Sequence, residues 1–253
     1  MKKVNKNFSV LQLHKDQLRY EQDLLQNKKV NQSCWARVKE DLAALYNYKC
    51  AYCEIDLRKT TTTVEHYRPK AKDKYFWLAH EWTNFMPCCP DCQDNNQGKG
   101  SQFEIENSPQ YSPPLLPNGN LDYEKCRLDN DYLLAENALI LNPEIDNPAE
   151  HLEFNTESGE LLPKNNSKKG EVTIRIVNLR RKQLNFCRKQ IVDNFFEAID
   201  NYYEVFREQN LDNPLLLALE VVKKEVKKKA DSQAEFSFVW QYLFDNFEQV
   251  LDK

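Results

Sequence analysis

The chain has 253 residues, enough for one sizeable domain or two small ones whose core forms without disulfide staples. Its 39 acidic and 35 basic residues give a net charge of −4, which excludes a uniformly basic nucleic-acid-binding body and leaves only local or shared binding. A hydrophobic share of 41%, only 5 glycines, a mean hydropathy of −0.77, no long apolar run and a start (MKKVNKNFSV) without the features of a secretory leader together predict a folded, rather helical, cytoplasmic protein without a membrane span.

Residues 10–30 read as an amphipathic helix carrying Leu11, Leu18, Leu24 and Leu25. A second helix is expected from Ser33, as N-cap, through Trp35, Val38, Leu42 and Leu45 to about Asn47. From Lys49 to about Phe103 the apolar periodicity fades while Cys, His, Asn and Pro accumulate, as in a region organised around metal. Residues 108–120, SPQYSPPLLPNGN, read as a linker or surface loop. Beyond them charge separates: residues 121–160 hold 11 acidic and 2 basic side chains and residues 161–190 hold 9 basic and 1 acidic, which allows a local basic face. The acidic stretch reads as short strands, LDYEKCRL, YLLAENALILNP and HLEFNTESGELLP, the last with a Ser-Gly hairpin turn. Leu184, Ile191, Phe195, Ile199, Tyr202 and Phe206 mark a long helix, followed by helices at about 214–230 and 235–251; the Lys-rich VVKKEVKKK, 221–229, reads as a solvated helix face. The fold class is therefore α+β and predominantly α-helical, in three segments: 1–47, 48–105 and an α-rich 106–253 suited to partner docking.

In a reducing compartment the eight cysteines are expected as thiols or metal ligands. Cys50 and Cys53 form CAYC, Cys88, Cys89 and Cys92 lie in CCPDC, and Cys34, Cys126 and Cys187 stand alone. Only Cys89 leaves the two-residue gap to Cys92, so Cys50, Cys53, Cys89 and Cys92 are the expected set for a closed, structural four-thiolate Zn²⁺ site. Between the pairs lie VEHYRPK, 64–70, and WLAHEWTNFMPCC, 77–89. On an extended strand Glu65 and His66 point to opposite faces and serve one cleft only if the strand is locally distorted. His80 is expected to pack or cap, and His14 and His151 to be structural or exposed.

CAYC, Glu65-His66 with Pro69, Asn84 and CPDC together resemble the HNH family of ββα-metal endonucleases, in the version closed by two CxxC zinc knuckles. The resemblance implies that Glu65 binds one divalent ion, Mg²⁺ or Mn²⁺, that His66 activates water and that Asn84 fixes the histidine loop. Where that family has His or Asn after the last cysteine, this chain has Gln93, an oxygen donor for the same ion, with Asn95 or Asn96 as alternatives. Arg68, Lys70, Lys72, Lys74 and Lys99 are candidates for phosphate contacts, against the equal alternative of ordinary surface charge.

A narrower resemblance covers most of the chain. VEHYRPK, YFWLAHEWTNFMPCCPDC, Lys99-Gly100, LILNPEIDNPAEHLEFN and TIRIVNLRRKQL resemble the HNH proteins of retrons and of the two-gene Septu anti-phage system, with residues 93–98 as a short insertion. This implies an ABC/SMC-like ATPase partner that restrains or directs the nuclease and a nucleic-acid substrate, DNA favoured and RNA or tRNA open. It also allows a retron reverse transcriptase with its DNA product. A neutral 48–105 segment, with 8 basic and 8 acidic residues, suits substrate binding shared with another subunit. The rival readings are a non-catalytic zinc module and an interaction subunit whose aromatic C-terminal helices serve docking.

Overall fold

The computed structural model describes residues 1, 11–231 and 234–251, and for residues 11–14 the backbone only. Helix α1, Leu11–Asn27, is amphipathic in an unexpected sense: Leu24 is buried, but Leu18 is 55% exposed, while Asp16, Gln17 and Glu21 are buried. These polar side chains are tolerated inside because each has a fixed partner. Asp16 pairs with Arg37 at 2.8 Å, Gln17 Nε2 donates to Glu81 at 3.0 Å, and Glu21 accepts from the Leu121 amide and the Tyr123 hydroxyl. The single helix expected next is two, α2 (Ser33–Arg37) and α3 (Lys39–Leu45), because Val38 leaves helical geometry at φ −100°, ψ 6°. That break turns Cys34, Val38 and Leu42 all into the core.

The cysteine-rich segment holds an antiparallel pair, β1 (Thr63–His66) and β2 (Phe85–Cys88), with Val64 opposite Pro87 and His66 opposite Phe85. The short helix α4, Pro90–Gln93, follows, with proline at its start where a missing N–H costs nothing. Two stretches expected as strands form single helical turns instead, α5 (Tyr123–Cys126) and α6 (Asp131–Leu134). Local caps decide this: the Asp122 side chain accepts from the Lys125 amide and Asn130 from the Tyr132 amide, closing helical turns that hydrophobic alternation alone does not foresee. Helix α7, Pro148–His151, leads into the expected hairpin of β3 (Leu152–Phe154) and β4 (Leu161–Pro163). Its Gly159 has φ +75°, and any Cβ there would overlap the Asn185 carbonyl oxygen. Helix α8, Lys168–Ile176, went unread in the sequence.

The remainder is helical: α9 (Lys182–Glu208), α10 (Pro214–Asp231), α11 (Ser237–Asp245) and α12 (Phe247–Leu251), with α10 packed on both α9 and α11. The lysines of α10 lie on its solvent-facing side, as expected, and three of them also touch aromatic rings. Lys223, Lys227 and Lys229 stand over the rings of Phe247, Phe244 and Trp240. One continuous hydrophobic core runs from Leu24 through the β1–β2 pair to Val250, so the three segments expected from the sequence share an interior. Among the described residues no helix is long and apolar enough to cross a membrane.

Glu54 fastens the first cysteine turn to α11. It is buried, sits at φ +64°, and accepts from the Met1 ammonium, the Ser237 hydroxyl at 2.8 Å and the Phe238 amide at 3.0 Å, with Lys49 Nζ 3.8 Å away. Burial alone would raise its pKa, but the Met1 ammonium and Lys49 outweigh it and lower the value from 4.5 to about 2. The stabilisation is therefore complete above pH 4.5 and lost as pH falls toward 2. Glu54→Gln is expected to cost roughly 3–5 kcal/mol at pH 7. In urea titrations the gap between the two proteins should close progressively below about pH 4.5.

Candidate functional site

The site is built on two cysteine turns. In the first, the Cys50 amide donates to Ile55 O and the Glu54 amide to Cys50 O, each at 3.0 Å, while the Ala51 amide reaches Pro87 O on β2 at 2.9 Å. The second turn enters α4, where the Gln93 amide donates to Cys89 O at 3.2 Å. Together they gather the sulfurs of Cys50, Cys53, Cys89 and Cys92 within 4.8 Å of one another, all buried. Cys53 and Cys89 Sγ are 3.7 Å apart. Four Zn–S bonds of about 2.3 Å give a tetrahedron with edges of about 3.8 Å, so this donor set is compatible with one zinc ion. The separation is far from the ~2.05 Å of a disulfide. Cys88 lies outside the set, on β2 opposite Thr63, although its sulfur is 3.9 Å from that of Cys50.

The cluster is also hydrogen-bonded from outside. The Cys89 amide donates to Cys50 Sγ at 3.4 Å, and Arg181, at the start of α9, donates to Cys92 Sγ at 3.5 Å and Cys89 Sγ at 3.8 Å. Burial opposes the Arg181 charge, but the sulfurs of Cys92 and Cys53 outweigh it and raise its pKa. Donors aimed at sulfur offset part of the negative charge of four thiolates. Arg181 was visible in the sequence only as one of a basic doublet; its role depends on the packing of α9 against the knuckles.

Beside the cluster, a cleft of about 480 Å³ is bordered by Thr63, Glu65, His66, Pro69, Lys70, Gln93, Asp94, Asn95, Gly100 and Ser101. Glu65 and His66, neighbours at the end of β1, thus face one space. His66 is buried between the rings of Trp35 at 4.9 Å and Phe85 at 5.0 Å. Its Nε2 lies 3.1 Å from Ala79 O and its Nδ1 3.4 Å from Lys70 Nζ. Burial, and then the Lys70 charge, hold its pKa well below 6.5, so the ring is neutral at pH 7. In that form Nε2–H donates to Ala79 O, and the Nδ1 lone pair accepts from Lys70 Nζ.

Asn84, fully buried, ties down the segment that supplies Ala79: its Oδ1 accepts from the Arg68 amide at 2.7 Å, and its Nδ2 donates to Arg68 O at 3.0 Å and Leu78 O at 3.2 Å. Glu65 is fixed differently. Lys99 Nζ, with no exposed surface, donates to Glu65 Oε1 at 2.6 Å, His66 O at 3.0 Å and Gly100 O at 3.4 Å. Lys99 reaches this position because its own amide donates to Cys92 O at 2.8 Å and because residue 98 is glycine. A Cβ at Gly98 would overlap the Asp91 and Cys92 carbonyl oxygens. The intervening residues are folded back by Asp94, whose Oδ1 accepts from the amides of Asn96 and Gln97 at 2.8 Å.

Gln93 borders the cleft with its Nε2 spent on Val64 O at 3.0 Å, so its Oε1 is the group left for a cation. Of the two alternatives, Asn95 borders the cleft and Asn96 does not. Glu65 Oε2 and Gln93 Oε1 are hard oxygen donors that suit Mg²⁺ or Mn²⁺, which commonly bind through one or two protein oxygens and complete their shell with water and phosphate.

The expected phosphate contacts need correction. Arg68 is buried in an ion pair with Glu136 at 2.8 Å, and Lys99 in its pair with Glu65, so neither reaches a bound strand. Lys72 is exposed, Lys74 donates to Ser101 O at 3.1 Å, and Lys70 borders the cleft under its contact with Trp35. Of the nine cations over 161–190, Lys168 pairs with Glu106 and Arg175 with Glu104 at the exposed surface, and Lys169 pairs with the half-buried Asp146. His80 is buried outside the cleft and accepts from the Asn31 amide at 3.0 Å; burial lowers its pKa to about 4. His151 Nδ1 pairs with Ser167 Oγ at 2.7 Å, and the His14 side chain lies outside the described residues. Trp35, Lys70 as the neighbour of His66, and Lys99 as the partner of Glu65 are site residues that spacing did not reveal.

No protein-family model matches the chain. It is 34% identical over 167 residues to the Septu protein PtuB of Bacillus mycoides (strain KBAB4), covering 61% of this chain and 50% of that protein. It is also 30% identical over 161 residues to the Septu protein PtuA of the same strain, covering 59% of this chain and 20% of that protein. A Septu protein PtuB of Bacillus thuringiensis is 26% identical over 197 residues, 76% of this chain and 60% of that protein. These similarities relate the chain to Septu proteins, and it spans about half the length of the first of them.

Removing the outer hydrogen bonds is expected to weaken the cluster without dismantling it. Arg181→Gln should lower zinc affinity by about 10- to 100-fold in a chelator competition, with the protein still folded at saturating zinc.

Proposed function

We propose that the chain is a metal-dependent HNH endonuclease that hydrolyses phosphodiester bonds as the effector of a Septu-type anti-phage system. A neutral imidazole supports this reading most directly: the His66 ring is fixed through Nε2 on Ala79 O, with Nδ1 turned to Lys70 Nζ at the wall of an open polar cleft that Glu65 also borders. The order β1, β2, α4 around that cleft, held by the cysteine cluster, supports the HNH assignment, and the cluster itself is read as a structural zinc site.

In this reading His66 Nδ1 takes the proton of the attacking water while Ala79 O keeps the ring in the productive tautomer and orientation. Asn84 acts one step further out, holding together the residues at either end of the segment that carries Ala79. Lys70 Nζ, the cation nearest the base, is placed to meet a phosphate oxygen as negative charge develops. Glu65 and Gln93 would hold the Mg²⁺ or Mn²⁺, which when bound supplies charge stabilisation to the phosphate and its leaving oxygen. Because Arg68 and Lys99 are committed inside the protein, substrate binding is assigned in part to a second subunit, a PtuA-type ABC/SMC-like ATPase. The named relatives are Septu proteins, so the proposal takes that partner rather than a retron reverse transcriptase. DNA is the favoured substrate, and RNA is tested alongside it because the chemistry acts on phosphate.

A non-catalytic zinc module is the second reading, favoured by the occupation of Glu65 Oε1 by Lys99. One assay separates them. Zinc-loaded protein, alone and with the ATPase partner, is incubated with plasmid DNA or total tRNA and Mg²⁺ or Mn²⁺. His66→Ala should reduce cleavage by about 10²- to 10⁴-fold at unchanged zinc content. Silence of the wild type in the presence of the partner would establish the module instead.

A further inference from the structure

Lys99 presents a problem for the metal reading that its geometry also resolves. Its ammonium, wholly buried, occupies three oxygens at the inner wall of the cleft, and one of them belongs to the carboxylate expected to hold the ion. The other carboxylate of the cleft, Asp94, has Oδ1 committed to the amides of Asn96 and Gln97. A second ammonium, Lys70, stands 3.4 Å from His66 Nδ1. A divalent ion on Glu65 Oε2 and Gln93 Oε1 therefore meets a ligand carboxylate already paired at 2.6 Å, with the Asp94 carboxylate and the second ammonium, Lys70, also bordering the cleft. Mg²⁺ and Mn²⁺ prefer six oxygens, and a dication near an ammonium in a partly desolvated cleft is repelled by it. A phosphodiester removes both deficits by bringing non-bridging oxygens and a negative charge.

We propose, on the premise of the nuclease reading above, that Lys99 is a resident cation that keeps the affinity of the cleft for a divalent ion low until nucleic-acid phosphate enters, so that metal and substrate bind together. Linkage makes the effect reciprocal: the ion raises nucleic-acid affinity by the factor by which nucleic acid raises that of the ion. The free protein then carries little catalytic metal, and the site is completed by its substrate. A purely structural Lys99, one that only fastens residues 98–101 to β1, predicts that its substitution leaves the coupling that phosphate oxygens give by themselves unchanged.

The test reads Mn²⁺ binding by electron paramagnetic resonance on the zinc-loaded full chain, with His66→Ala present throughout so that nucleic acid is not consumed. Duplex DNA and tRNA are added separately, and the Mn²⁺ held by nucleic acid alone is subtracted. With Lys99 in place, Mn²⁺ should bind at least tenfold more tightly when nucleic acid is present. Lys99→Met and Lys99→Gln should each raise the affinity for Mn²⁺ alone at least tenfold and reduce the coupling to near unity. Adding Glu65→Gln to Lys99→Met should abolish that gain. Zinc content and circular dichroism identify folded variants, and loss of the fold in both would overturn the role of Lys99 in favour of a structural one. Folded variants that bind Mn²⁺ no more tightly than the parent, or a parent whose affinity ignores nucleic acid, would overturn the role of Lys99 and leave the nuclease reading standing. No Glu65-dependent Mn²⁺ binding under any condition would overturn both.

Discussion

Four buried sulfurs gathered within 4.8 Å of one another form one closed donor set, and much of the geometry at the cleft follows from bringing them together. The first turn is bound to β2 through the Ala51 amide, and the second begins α4. Closing them on one another fixes where β2 ends and, through the register of β1 on β2, where Glu65 and His66 emerge. The same closure places Cys92 O, which receives the Lys99 amide and brings its side chain under Glu65. The cluster thus positions the cleft from both sides without contributing an atom to its chemistry.

Charge is used inward elsewhere as well. Arg68 with Glu136, Glu54 with Lys49, and the α1 carboxylates Asp16 and Glu21 are buried with specific partners. Buried ion pairs add little net stability compared with well-packed apolar residues, but breaking one leaves an unpaired charge at a cost of several kcal/mol. Their consequence here is positional: Tyr75 and Arg68 both converge on Glu136, which anchors the start of the segment that Asn84 closes. Arg68 and Lys99 are thereby withheld from a polyanion, which is the physical ground for assigning part of substrate capture to a complex.

The most legible parts of the sequence were those where spacing alone dictates geometry. CAYC and CPDC specified the four gathered sulfurs, including Cys89 over Cys88, because only a two-residue gap presents both sulfurs to one point. The long period-3.6 patterns of α9 and α10 and the Ser-Gly hairpin were read nearly to their boundaries. The failures share a cause. Helix α1 buries its polar edge, α5 and α6 are fixed by Asx caps, and Val38 breaks a helix by turning inward. Each depends on a partner remote in sequence or on a cap too short to show periodicity. Arg68 and Lys99 were misread for the same reason: next to a histidine and a glycine they look like surface cations, and only Glu136 and Glu65 make them interior ones.

The turn at 93–98 shows how local side-chain bonds can return the backbone to the second cysteine pair. The Asp94 side chain folds these residues into a compact turn, Gly98 N returns to Asp94 O at 3.0 Å, and the lack of a Cβ at Gly98 lets the chain lie against the Asp91 and Cys92 carbonyls. The backbone is thus back in contact with the knuckle by Lys99. The ammonium position is therefore set by where the loop rejoins Cys92.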